Sequence, residues 1–115
     1  MYSTPRLLQG VFEFVGHGYE SPSPLTTAFS YTVPTGKRAQ ATYLRAGNSS
    51  NELIYLTLMR DGKAMRYFPI GAKSDAHVAL ALVEDLSAGT QIDLYLGAPE
   101  GISGSVVVDL GLVEI

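Results

Sequence analysis

The stretch Glu52-Leu53-Ile54-Tyr55-Leu56-Thr57-Leu58-Met59-Arg60-Asp61-Gly62-Lys63-Ala64-Met65-Arg66-Tyr67-Phe68 decides the fold. Ile54, Leu56 and Leu58 recur at period two, which puts them on one face of an extended strand. Tyr55 and Thr57, on the alternate positions, are residue types that a pleated surface favours. Asp61-Gly62 then supplies the two residues that accept positive φ in a tight hairpin, because Gly lacks a Cβ and Asp tolerates the left-handed region. Strands over residues 52–60 and 63–68 follow, the second stopping at Pro69, which has no N–H to give a ladder.

The same alternation extends both ways along the chain. Leu8, Phe12 and Phe14 mark a strand at 6–15. A loop rich in Gly and Pro, residues 16–24, leads to a strand at 25–33 with Phe29, Tyr31 and Val33 in phase. Pro34-Thr35-Gly36-Lys37 is a tight turn into a strand at 38–46, and Gly47-Asn48-Ser49-Ser50-Asn51 is a loop. Beyond the hairpin, Val78, Leu80 and Leu82 mark 76–84, Ile92, Leu94 and Leu96 mark 91–96, and Val106, Val108, Leu110 and Leu112 mark 104–114. No segment has helical period. Eight strands in a 115-residue chain predict an all-β fold, an eight-stranded antiparallel sandwich that is jelly-roll-like. An immunoglobulin-like sandwich is the alternative, but its Cys and Trp marks are missing. Residues 1–115 are expected to form a single domain, with 1–5 as an N-terminal arm.

Composition limits the chemistry. With no cysteine, disulfide scaffolds, thiolate metal sites and cysteine catalysis are excluded. Charged residues make up 17%, against a usual ~25%, so part of the surface is expected to be covered by other subunits or to be rich in Ser, Thr and Gly. A net charge of −3 argues against direct nucleic-acid binding and against an anionic membrane. No apolar run reaches the ~20 residues of a membrane span. The first nine residues lack the basic-then-apolar pattern of a secretory leader.

Catalytic constellations are weakly represented. His17 lies between glycines in the first loop, and His77 is sixty positions away without a neighbouring His, so a cupin-type metal centre is not expected. Neither histidine belongs to a nucleophile motif, and no Gly-X-Ser-X-Gly elbow occurs. The acids fall mainly in turns (Glu20, Asp61, Asp75, Asp85, Glu100) or at strand ends (Glu52, Glu84, Glu114), where Asp is expected for local hydrogen bonding alone. Gly97-Ala98-Pro99-Glu100-Gly101-Ile102-Ser103-Gly104 joins two strands, whereas a phosphate loop feeds a helix. No enzyme, metal or cofactor is expected. Of the tyrosines, Tyr31, Tyr43, Tyr55, Tyr67 and Tyr95 fall within strands, where packing accounts for them. Tyr19, in the long loop, is the first candidate for stacking on a sugar.

Three features point to assembly. Ala79, Ala81 and Val83 make the second face of the 76–84 strand apolar, although a free sandwich should keep that face wet. Leu53, Tyr55 and Met59 do the same for the 52–60 strand. The arm carries Tyr2 and Pro5 with no pattern of its own, so it needs something to hold it down. These residues are the candidate subunit interface and arm contacts, with His17 and Tyr19 as exposed loop contacts.

Two strand lead-ins carry a family resemblance. Val33-Pro34-Thr35-Gly36-Lys37-Arg38-Ala39 and Leu86-Ser87-Ala88-Gly89-Thr90-Gln91-Ile92, with a last strand ending Glu114-Ile115, resemble small β-sandwich virion proteins of tailed bacteriophages, most closely capsid decoration (cement) proteins. Thr90 stands where that second motif commonly has Asp. The resemblance implies a structural role without catalysis. Homotrimers would sit on the capsid surface of the virion, bound to the major capsid protein and made in the host cytoplasm. An arm reaching a neighbour would suit residues 1–5. The alternatives are a phage tail or receptor-tip domain, or a carbohydrate-binding module.

Overall fold

The computed structural model describes residues 3–26, 29–80 and 85–115. Its strands are β1 (Thr4–Val15), β2 (Ser23–Pro24), β3 (Tyr31–Thr32), β4 (Ala39–Asn48), β5 (Ile54–Arg60), β6 (Lys63–Ile70), β7 (Asp75–Ala79), β8 (Gln91–Gly97) and β9 (Ser103–Glu114). One sheet, here sheet A, has the order β1-β9-β4-β7. Sheet B has the order β2-β8-β5-β6, with β3 also paired to β8, and all pairs are antiparallel. With β2 and β3 counted as one interrupted strand, this is the eight-strand winding of a jelly roll.

The alternating residues meet between the sheets as the sequence dictates. Ile54, Leu56, Leu58, Ile92, Leu94 and Leu96 face Leu44, Val106, Val108, Leu110 and Leu112, all buried. Each such side chain contributes on the order of 1.5–3 kcal/mol on leaving water. Asp61 (φ 49°) and Gly62 (φ 81°) close the β5–β6 hairpin in the left-handed conformations their residue types permit.

Several boundaries differ from the sequence expectation, and β4 runs through Gly47 and Asn48 of the expected 47–51 loop. The strand expected at 25–33 is broken: Pro24 pairs with Tyr95 and Tyr31 with Ile92, so the chain passes seven positions here while β8 passes three. That excursion drops Phe29 into the core, edge-on to Phe12 at 5.7 Å between ring centroids. β1 begins at Thr4, so Pro5 of the expected arm is a strand residue opposite Val113; Tyr2 lies outside the described residues. β6 runs through Pro69 to Ile70, because an edge strand tolerates a missing donor on its free side. β7 is described only to Ala79, with Leu80 N donating to Thr42 O at 3.0 Å. Ala81 and Val83 lie outside the described residues.

Glu114 ends the inner row of β9, at the mouth of the sandwich. Its carboxylate takes a hydrogen bond from the Tyr31 hydroxyl and pairs with Arg6 Nε at 3.1 Å. These two partners, Tyr31 first, hold the Glu114 carboxyl below the usual carboxylate range, while burial and then Glu114 itself push the Tyr31 phenol up. A depressed carboxyl stabilises the fold fully above its unfolded value of about 4.3, and that stabilisation is lost as pH falls through the lower folded value. The thermal midpoint is therefore expected to fall below about pH 4.3, and a Glu114→Gln chain to lack that part of the fall. Melts from about pH 7 to about pH 2 check it; identical acid profiles would refute it.

Candidate functional site

The outer face of sheet B carries an aromatic patch. Register places Gly97, Tyr55 and Pro69 in one row and Tyr95, Thr57 and Tyr67 in the next. The Tyr55 ring lies over Gly97, where an added Cβ would fall 2.2 Å from the ring. Only glycine leaves that space. From there the Tyr55 hydroxyl donates to Tyr19 O at 2.5 Å, and the Tyr19 hydroxyl donates to Leu53 O at 2.7 Å. These two bonds stitch the loop after β1 to the start of β5. Ring centroids lie 6.3 Å apart for Tyr19 and Tyr55, and 6.0 Å for Tyr55 and Tyr67. Burial, and secondarily Tyr67, pushes the Tyr55 phenol up. Tyr67 stands 65% exposed at the edge of the patch. The Thr57 hydroxyl, between Tyr95 and Tyr67, is buried with no hydrogen-bond partner among the described residues.

A different surface covers sheet A. Its outer rows run Leu7–Gly111–Tyr43–Ala79, then Gln9–Asp109–Arg45–His77, then Val11–Val107–Gly47–Asp75. Asp109 is the polar centre, accepting from Gln9 Nε2 and the Tyr43 hydroxyl, each at 3.0 Å. His77 packs edge-on to Tyr43. Towards β1 the face turns apolar: Leu7 is 56% exposed, Val11 68%, Val15 57% and Val107 53%.

The sequence-derived candidates therefore divide. Leu53, Tyr55 and Tyr19 come together on sheet B, so a residue proposed for assembly and one proposed for sugar stacking share one patch. Met59 lies on the same face, opposite Asp93. Ala79 does not join them; it belongs to the outer face of sheet A, because β7 pairs with β4 and not with β5. His17 is exposed in the Tyr19 loop, and His77 sits on sheet A. Among the described residues no three His, Asp or Glu side chains gather as a metal centre. Sequence reasoning missed Tyr67, which it assigned to strand packing. Its outward position depends on a β-bulge between Leu58 and Met59, which shifts the register so that Tyr67 opposes Thr57.

No family model matches the chain, and no curated protein matches its sequence. Solved structures do match its fold. The CBM36-1 domain of a multidomain xylanase from the hindgut metagenome of Trinervitermes trinervoides aligns over 96% of both chains with a TM-score of 0.55 and 16% identity. A chain in the structure of infectious bursal disease virus, Gx strain, aligns with a TM-score of 0.50 and 19% identity, over 97% of this chain and 32% of the other. Both likenesses establish the fold. This chain is an all-β, two-sheet sandwich of a kind found in a xylanase module and in a virus structure.

Proposed function

We propose that this chain is a non-enzymatic structural protein of a bacteriophage particle, binding the major capsid protein as a decoration subunit on the capsid surface. The observation that carries the reading is the aromatic face of Leu53, Tyr19, Tyr55 and Tyr67. Two hydrogen bonds hold it rigid, and apolar bodies with polar tips suit a partner's surface. The lead-in motifs support a scaffold role. They meet at one corner, where Val33 N donates to Thr90 O and Gly89 N to Val33 O, each at 2.9 Å. A protein that binds only the mature shell stabilises it by mass action, and many copies on one particle add avidity.

A second reading rests on the same face: closely set, partly exposed tyrosine rings also offer a stacking platform to a sugar ring. One experiment separates the two. Particles from the native source are sedimented, this chain is counted by mass spectrometry, and Tyr67→Ala protein is tested for rebinding to particles stripped of it. Decoration predicts on the order of hundreds of copies on DNA-filled particles. It also predicts about tenfold or weaker rebinding by the variant, as expected for loss of an interfacial Tyr anchor. A handful of copies would move the chain to the tail. Absence from particles, with saturable glycan binding lost in Tyr67→Ala, would replace decoration with the sugar reading.

A further inference from the structure

The free edge of β1 carries an inference independent of the aromatic face. β1 ends sheet A, and among the described residues no strand pairs with its other side. A twelve-residue edge of this kind is a template for another strand. Its backbone polarity can be assigned. Gly16 N donates to Ile102 O, one step beyond the Val15–Ser103 pair, so the even residues of β1 bond to β9. The β9–β4 side agrees, because Ser49 N donates to Ser105 O, turning the odd residues of β9 away from β1. Leu7, Gln9, Val11, Glu13 and Val15 therefore direct their N–H and C=O groups to the open edge. Their side chains also share the outer face. Pro5, whose missing N–H belongs at that same edge, lies just outside this run.

This pattern is self-complementary. An antiparallel pairing of β1 with itself, centred on Val11, sets Val11 against Val11, Gln9 against Glu13 and Leu7 against Val15. Valine meets valine, an amide meets a carboxylate, and leucine meets valine. Gln9 gives one amide hydrogen to Asp109 and keeps a second for the partner's Glu13. Across the axis the row reads Val107, Val11, Val11, Val107, which sets the most exposed apolar residue of the face, Val11, beside its own copy. Moving the centre to Gly10 would set Leu7 against Glu13, and moving it to Gln9 would set Pro5 against Glu13. Neither matches.

We propose that a second copy of this chain occupies the edge, joined β1 to β1 about a two-fold axis through Val11, which makes one continuous eight-stranded sheet from two copies of sheet A. An isologous contact of this kind closes after two subunits.

Sedimentation equilibrium of the purified chain is expected to give a dimer, and Val11→Lys, which sets two ammonium groups against each other, to weaken it at least about tenfold. Val11 is 68% exposed, so the variant is expected to keep the parent's circular dichroism, while its thermal midpoint loses the concentration dependence that the dimer gives the parent. Because the chain has no cysteine, a spin label at Val11→Cys or Val15→Cys reads the register directly. Val11 backbones are expected about 5.5 Å apart across a hydrogen-bonded pair, giving strong dipolar broadening. Val15 labels are expected about 27 Å apart, about eight residues along the strand at ~3.4 Å each. A monomer or a trimer at all concentrations, a dimer indifferent to Val11→Lys, or closer labels at Val15 than at Val11 would each overturn the proposal.

Discussion

Asn48→Asp is expected to be among the most damaging single-atom changes this chain can take. Asn48 is buried at the end of β4 and joins the two sheets: its Nδ2 donates to Glu52 O at 2.9 Å, Gly71 O at 3.1 Å and Ile70 O at 3.3 Å. Its Oδ1 accepts from Ser50 N at 2.9 Å and Ser50 Oγ at 2.8 Å. Aspartate replaces the donating end by a second acceptor, so a buried carboxylate oxygen faces carbonyl oxygens. Leaving such groups unpaired costs about 1–3 kcal/mol each, and more for a charge. A loss of about 3 kcal/mol is expected, lowering the thermal midpoint by about 15 °C at ~5 °C per kcal/mol. Asn48→Ala should cost a similar amount. The two variants differ in pH dependence. Burial and the facing carbonyls raise the folded pKa of the introduced carboxyl, so its penalty is greatest at neutral pH and eases as acidification restores a donor. Denaturant titrations of both variants at about pH 7 and about pH 4.5 check this. An Asn48→Asp chain as stable as the parent at neutral pH would sink it.

The second large effect is expected at Gly16, which leaves β1 at a point where the chain before β9 wraps around it. Gly16 N donates to Ile102 O at 2.7 Å, Gly101 N to Gly16 O at 3.1 Å, and Gly18 N to Ala98 O at 2.9 Å. A Cβ at Gly16 would lie 2.0 Å from Pro99 O and 2.8 Å from Ala98 O. These are backbone atoms, which cannot swing aside as a side chain can. Gly16→Ala must therefore part the two segments and stretch these bonds, at a cost of about 3 kcal/mol, the upper end of ordinary overpacking. Gly47→Ala is the control, since an added Cβ there meets nothing within 4 Å among the described residues. Thermal melts should separate the two by about 10 °C or more. Equal midpoints would show that the 98–102 segment relaxes freely.

Gly16 and Asn48 also show where the sequence stops speaking. Gly16 lies in the expected loop, whereas Asn48, expected in the 47–51 loop, ends β4, yet nothing local distinguishes them from Gly47 or Asn51. Their importance comes from what other segments bring to them. The lead-in motifs were visible as turns, while their meeting at one corner was not.

Strand identity was legible because it depends on neighbours two residues apart. Ile54, Leu56 and Leu58, the Asp61-Gly62 turn and the Val106-to-Leu112 row each carry their own signal, and eight such segments sufficed for an all-β sandwich. What depended on long-range pairing was not legible. The Phe29 excursion exists because Phe12, seventeen residues earlier, offers it a ring to pack on. A single bulged residue in β6 turned Tyr67 outward, since a one-residue slip exchanges the two faces of a strand. The pairing of β7 with β4 separated Ala79 from Tyr55, placing on opposite surfaces two groups that alternation alone treated alike. Periodicity along the chain therefore determined which residues face the core. Only the order and register of the strands decided which outward residues share a surface, because that depends on contacts between segments far apart in sequence.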